Sequence, residues 1–186
     1  MDKIYTKTGD KGYTTNLLDK KYSKADIEME LQGSIDEINA YVGLLRSKLI
    51  GSSLNYDAKV LSKIDNILKL IQYHLYLVGI EISTEFTEVH ITEEEIAMLE
   101  KEIDFMVDNT EAMKSFIYYF GSENSTTSHV IRTIVRRAER VFVKALRDVT
   151  YPKSYQYINR LSDFFFAFSR YINYLDGQKD EAMLLK

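Results

Sequence analysis

Cysteine is absent from this chain, which removes disulfide bonds, thiolate nucleophiles and cysteine-type zinc sites together. Proline occurs once, at Pro152, so little in the sequence interrupts helix formation. Histidine is scarce as well, and none of His74, His90 and His129 follows a glutamate by three positions, so the Glu-x-x-His pairs of a diiron bundle are missing. No charge-free apolar run reaches the length of a membrane span, and residues 1–6 lack the apolar core and small-residue cleavage site of a secretory signal. The expectation is a cytoplasmic protein with no membrane partner. Asn124-Ser125-Thr126 matches a glycosylation acceptor, but no secretory signal accompanies it. Positive charge is not in excess either: 24 Lys and Arg face 28 Asp and Glu, for a net charge of -4. That balance argues against a nucleic-acid partner and for a small-molecule or protein one.

What is present is helical periodicity. With 45% hydrophobic residues, a chain of 186 can bury one sizeable core, so a single domain is expected over 1–186. Leu31, Ile35, Ile38, Val42, Leu45 and Leu49 alternate steps of four and three, one stripe of a helix predicted from Asp26 to Leu49 and broken by Gly51-Ser52-Ser53. Ile64, Leu68, Ile71, Leu75, Val78 and Ile82 mark a second helix, beginning near Asp57 and ending near Ser83. A third has a capping box in Thr92 and Glu95, with Ile91 and Ile96 as a hydrophobic staple, before Ile96, Leu99, Ile103 and Met106 face inward. After the aromatic stretch Phe116–Phe120, Gly121 and a Ser/Asn/Thr run precede Ile131, Ile134, Val135, Ala138, Val141, Phe142 and Ala145, a fourth helix. A fifth carries Ile158, Leu161, Phe165, Phe168, Ile172 and Leu175, with Gly177 placed for a left-handed cap. The fold class is therefore all-α, a five-helix bundle over 26–177 with an extended N-terminal segment over 1–25 and a tail over 178–186.

Chemistry must come from polar groups beside these stripes. Arg132, Arg136 and Arg140 are spaced four apart and share one helix face, either as a solvated face partnered by Glu139 or as a polyphosphate clamp, since guanidinium forks match phosphate oxygens. Asn159, Asp163, Phe166 and Arg170 share a face of the fifth helix, where Asn159 could pack helices or meet a ligand. Asp36 and Glu37 interrupt the first helix and could serve as salt bridges fixing its register. Gly9-Asp10-Lys11-Gly12, among small hydroxyls, could turn backbone amides toward an anion, or be a plain surface turn; it is not a Walker A loop, since no Gly-Lys-Ser/Thr opens a helix.

Taken together, four blocks in order and spacing resemble the PduO-type ATP:cob(I)alamin adenosyltransferases. They are Tyr5-Thr6-Lys7-Thr8-Gly9-Asp10-Lys11-Gly12 followed by Thr14, Thr15 and Lys24; Asp36-Glu37-Ile38-Asn39; His129, Arg132-Thr133 and Arg136-Arg137-Ala138-Glu139-Arg140; and Asn159-Arg160-Leu161-Ser162-Asp163. The resemblance covers nearly the whole chain.

It implies an enzyme that transfers the 5'-deoxyadenosyl group of ATP to cob(I)alamin, releasing triphosphate, with ATP as co-substrate, cobalamin as substrate and Mg2+ as cofactor. It also implies a homotrimer whose sites lie between subunits under the N-terminal loop, and a reductase and a B12-dependent enzyme as possible protein partners. By this resemblance Thr6, Lys7, Thr8, Gly9, Thr14, Thr15, Lys24, Arg136, Arg137, Glu139, Arg140 and Asn159 hold ATP. Asp36 and Arg132 match an ion pair that joins neighbouring subunits beside the corrinoid, and Phe116 and Phe166 match aromatics of the corrinoid pocket, the former keeping the lower ligand off cobalt. Arg136, Asp36, Arg132 and Phe116 are thereby the candidate catalytic residues; no metal ligand is assigned. The chain departs from the family pattern where Phe116-Ile117-Tyr118-Tyr119-Phe120-Gly121 replaces a common Phe-Ile-Leu-Pro-Gly-Gly, and at Ser34 and Glu28. A bundle that holds ATP or delivers adenosylcobalamin without making it would keep the same fold, and Tyr119 and Phe120 leave that alternative open.

Overall fold

The computed structural model describes residues 3–51, 56–146 and 150–183. Five helices carry the fold: α1 (Ile27–Gly51), α2 (Ala58–Ser83), α3 (Glu93–Asp108), α4 (Glu123–Leu146) and α5 (Lys153–Leu175). A hairpin of β1 (Tyr13–Thr15) and β2 (Lys21–Ser23) precedes them, antiparallel with Thr14 opposite Tyr22. Among the described residues, no helix is long and apolar enough to cross a membrane.

The apolar stripes build one core. All six stripe residues of α1 and all six of α2 are buried, as are Ile96, Leu99 and Met106 of α3. Ile103, Ala145 and Leu175, at the margins of their stripes, are half-buried and pack against it. Each fully buried aliphatic side chain contributes about 1.5–3 kcal/mol, which is what holds such long helices side by side.

Helix ends follow local chemistry. Asp57 caps α2 by accepting from the amide of Lys59 at 2.8 Å. At α3 the hydroxyl of Thr92 accepts from the chain's first turn while the Glu95 carboxylate accepts from the Thr92 amide at 2.8 Å, a complete capping box. Beyond α5, Gly177 takes φ +66, its amide donates to Tyr174, and Gln178 donates to Asn173 at 2.8 Å, the paired bonds of a Schellman cap. Pro152 serves as N-cap of α5, where its missing N–H costs nothing. The predicted break after α1 lies at Ser52-Ser53, outside the described residues; α1 itself continues through Gly51.

Two features differ from the sequence-based expectation. The Ser/Asn/Thr run, expected to precede the Ile131 stripe, is itself the first two turns of α4, with Asn124, Ser125, Thr127, Ser128 and His129 buried. Short hydroxyl side chains can be buried on a helix when they bond back to it, as Thr127 does to the Glu123 carbonyl at 2.6 Å and Ser128 to Asn124 at 2.8 Å. The hairpin is the other, a fold within a segment expected to be an extended loop.

The bundle has two chemically different ends. Contacts from Lys48 to Glu123 and from Glu37 to Arg137 make α1 and α4 antiparallel, and Asn159–Glu139 with Asn173–Ser122 does the same for α4 and α5. Glu93–Lys153 and Glu100–Arg160 set α3 parallel to α5, while Lys63–Glu102 joins α2 to α3. The N-termini of α1, α3 and α5 therefore share one end with the C-termini of α2 and α4 and with the hairpin. The aromatic segment 116–120 lies at the other.

Candidate active site

Residues 6–12 form a tight exposed loop in which two hydroxyls, Thr6 and Thr8, stand 2.8 Å apart. Positive φ at Lys7 (63°) and Gly12 (78°) gives the left-handed turns that can present successive amides to an anion. Lys24 lies against this loop: a Cβ on Gly9 would come within 2.8 Å of its Nζ, and its amide donates to the Gly12 carbonyl at 2.9 Å. Gly12 is thus favoured by backbone angle, while a side chain at Gly9 would push the flexible end of Lys24 off the loop. Thr14 and Thr15 follow on β1.

One carboxylate anchors the hairpin. Glu85, just past α2, accepts from Tyr22 at 2.7 Å and from Asn16 at 3.2 Å, and pairs with Lys20 at 2.9 Å. The Lys20 ammonium, followed by Tyr22, holds its carboxyl below the usual range. Glu85 and Phe86 both adopt left-handed backbone (φ 52° and 60°), a conformation costing a non-glycine residue about 1–2 kcal/mol. Phe86 then packs against Phe142 of α4, the rings tilted and their centroids 5.7 Å apart. A strained turn therefore links the hairpin to the helix that carries the arginines. Glu85→Gln should lower amide protection across the hairpin several-fold while leaving the helices protected, because the loop is loosened rather than removed; hydrogen exchange checks this. The depressed carboxyl makes the anchor fully present above the ordinary glutamate range and lost as pH falls through the folded value, so the wild-type hairpin should lose protection toward the level of the variant in acid.

On α4, Arg136 and Arg140 are exposed, and Arg140 donates to the Arg136 carbonyl at 2.8 Å. Arg137 turns to α1 and pairs with Glu37. Glu139 accepts from the Asn159 amide at 2.6 Å, bringing two of the sequence-derived residues together across α4 and α5. Asn39, from the second sequence block, faces α2 and exchanges hydrogen bonds with Gln72, so its part is helix pairing.

Toward the other end Arg132 lies with its guanidinium over the Tyr119 ring, 4.5 Å from the centroid. Tyr119 stacks on His129 at 4.7 Å, and His129 neighbours Phe166 at 6.1 Å. Phe116, Tyr118, Tyr119 and Phe120 are all exposed, leaving an apolar surface beside this stack. Arg132 Nε is buried without a hydrogen-bond partner among the described residues. Asp36 is exposed on α1 and makes no ion pair with any described residue, so the expected Asp36–Arg132 pair does not form within one chain.

His129 is 4% exposed, and burial, reinforced by Arg132, pushes its imidazole down to about 4. Its folded value lies below the unfolded one, so the unfolded state takes up the proton first as pH falls. Stability is then unaffected above about pH 6.5 and is lost between there and pH 4, by at most about 3 kcal/mol. Denaturant unfolding of wild type and His129→Gln across that range should show the steeper loss in wild type; parallel slopes would contradict it.

The sequence offered no sign of Glu85, whose partners stand more than 60 residues away. Tyr119 is visible only as an odd residue in its block; its contacts with Arg132 and His129 needed the fold.

A family model described as cobalamin adenosyltransferase matches residues 4–172 of this chain. A corrinoid adenosyltransferase of Bacillus subtilis (strain 168) is 37% identical over 183 residues, 96% of this chain and 90% of that protein. One from Mycobacterium leprae (strain TN) is 34% identical over 186 residues, covering 93% and 92%. Among solved structures, a phenylalanine-to-alanine variant of a PduO-type ATP:corrinoid adenosyltransferase from Lactobacillus reuteri, complexed with cobalamin and ATP, superposes with a TM-score of 0.87 at 34% identity, over 98% of this chain and all of that one.

Proposed function

Because the chain belongs to the cobalamin adenosyltransferase family, we propose that its two-ended bundle carries out ATP-dependent adenosylation of cobalamin with the residues described above. The protein is a corrinoid adenosyltransferase. In the reaction the Co(I) electron pair attacks C5' of ATP, the Co–C bond forms, and the C5'–O bond breaks with its electrons leaving on triphosphate. Cob(I)alamin is itself a strong nucleophile, so no side chain has to act as general base. The protein's tasks are alignment, exclusion of water and stabilisation of the leaving charge.

The observation that carries the residue assignment is the Glu85–Phe86 turn, which ties the phosphate-type loop at Thr6–Gly12 to the end of α4 that bears Arg136 and Arg140. In this reading Thr6, Lys7, Thr8, Gly9, Thr14, Thr15 and Lys24 close over the triphosphate, and Arg136 and Arg140 meet it from the helix. Arg137, Glu139 and Asn159 complete the wall, already ordered by their own contacts. Mg2+, were it bound with ATP, would offset the charge leaving on triphosphate, and Glu139 is the carboxylate of this wall that could hold it. Phe116 and Phe166 wall the corrinoid, where an apolar surface disfavours an axial ligand on Co(II) and so eases its reduction.

We take the assembly to be a homotrimer, with Asp36 of one subunit answering Arg132 of the next. An exposed Asp36 and a buried, unpartnered Arg132 Nε support that reading. A cytoplasmic setting suits a substrate as reduced as cob(I)alamin. The test is turnover of reduced cobalamin with ATP, followed by loss of the cob(I)alamin absorbance and by triphosphate release. ATP binding without adenosylcobalamin would overturn the enzyme reading in favour of a carrier.

A further inference from the structure

The tail beyond α5 does not trail into solvent. Ala182 bridges antiparallel to Ile117, the Tyr118 amide donates to the Glu181 carbonyl at 2.9 Å, and the Met183 amide donates to the Phe116 carbonyl at 2.7 Å. These two bonds bracket Ile117 and set the register of the segment. Side chains alternate along such a pairing, so Ile117, 7% exposed, faces in while Phe116, 73% exposed, faces out. A slip of one residue would exchange them.

The tail is itself anchored. Arg170 is 8% exposed on α5, one turn after Phe166; its Nε donates to Asp180 at 2.6 Å and its Nη2 to the Glu111 carbonyl at 2.5 Å. One buried guanidinium thus holds both the tail and the chain leading into the aromatic segment. Behind them lies a cleft of about 450 Å³ bordered by Ile117, Arg170 and Asp180, so no packed core fixes the segment from that side. At its far end Asn173 accepts from the Ser122 amide at 3.0 Å and donates to the Phe120 carbonyl at 3.1 Å. Gly121 is required there, since a Cβ would meet Asn173 Oδ1 at 2.0 Å.

We infer that the tail from Asp180 to Met183 is a positioning element for the reaction: a clasp that, through Arg170, holds Phe116 facing the corrinoid. It rests on the functional reading above. Its contacts run to Arg170 and the Phe116–Tyr118 segment, so its effect falls on the corrinoid half of the site.

Two variants of the full chain test it. Asp180→Asn removes the ion pair with Arg170, and Met183→Pro removes the amide that bonds to Phe116. With ATP and cob(II)alamin, electron paramagnetic resonance should show less four-coordinate Co(II) in both variants than in wild type. Adenosylation kcat should fall ~10-fold or more, as expected when a reacting group is misplaced by a fraction of an ångström to an ångström, with the KM for ATP within about twofold of wild type. Unchanged kcat and Co(II) spectrum in both variants would overturn the clasp, as would a KM for ATP that worsens in step with kcat. A wild-type protein that binds ATP but makes no adenosylcobalamin would overturn the functional reading and the clasp with it; an active wild type with unaffected variants overturns the clasp alone.

Discussion

Arg136→Ala should lower kcat/KM for ATP by about 100- to 1000-fold, the usual cost of deleting one preorganised group aimed at developing charge. Its side chain is exposed and makes no ion pair with any described residue, so the fold does not depend on it. The melting temperature of the variant should therefore stay near that of wild type. Arg137 offers an internal contrast: its charge is already answered by Glu37, so less of it is available to triphosphate and Arg137→Ala should cost less in catalysis and more in stability. The measurements are steady-state kinetics at varied ATP and thermal unfolding for all three proteins. Equal losses for Arg136→Ala and Arg137→Ala would contradict the assignment, because only one of the two lacks a protein partner.

Asp36→Ala and Arg132→Ala should each reduce adenosylation by roughly 100-fold, the order of loss expected when a reacting group is misplaced by about an ångström. Refolded together, the two inactive chains should recover part of the activity. In a ring of three, some interfaces then place an intact Asp36 from one chain against an intact Arg132 from another. A pair closed within each chain would leave every mixed assembly dead, so the mixing result separates the two arrangements without relying on stability. Light scattering on the same mixtures should give three times the chain mass.

The helices were legible because their causes are local. A stripe such as Ile64 to Ile82 is a pattern of spacing, and the Thr92–Glu95 box and the Gly177 cap lie within a few residues of the ends they close. The start of α4 was not, because buried serines and threonines look like a loop until their hydroxyls are seen bonded to the preceding turn. The hairpin escaped notice for another reason. Its three-residue strands carry little apolar alternation, and a distant carboxylate, Glu85, holds them in place. Candidate site residues could be named from motifs, yet motifs do not say which charges are already spent. That Arg137 is neutralised by Glu37, that Asn159 is engaged by Glu139, and that Asp36 is left unanswered are properties of helix pairing. The tail's pairing with Phe116–Tyr118 has no sequence signature, being carried by backbone bonds across more than 60 residues.

Helix α4 also acts as a ruler. Arg132 lies beside the aromatic contacts and Arg136 and Arg140 are exposed further along the same helix, with no loop or kink within Glu123–Leu146 to adjust the spacing between them. Four residues, about 6 Å of rise and slightly more than one turn, separate neighbouring members of the row. One inserted residue would add only about 1.5 Å but rotate everything beyond it by about 100°, carrying either the arginines or the corrinoid wall off the shared face. Between positions 132 and 140 the phase of a single helix thus sets which side each arginine presents.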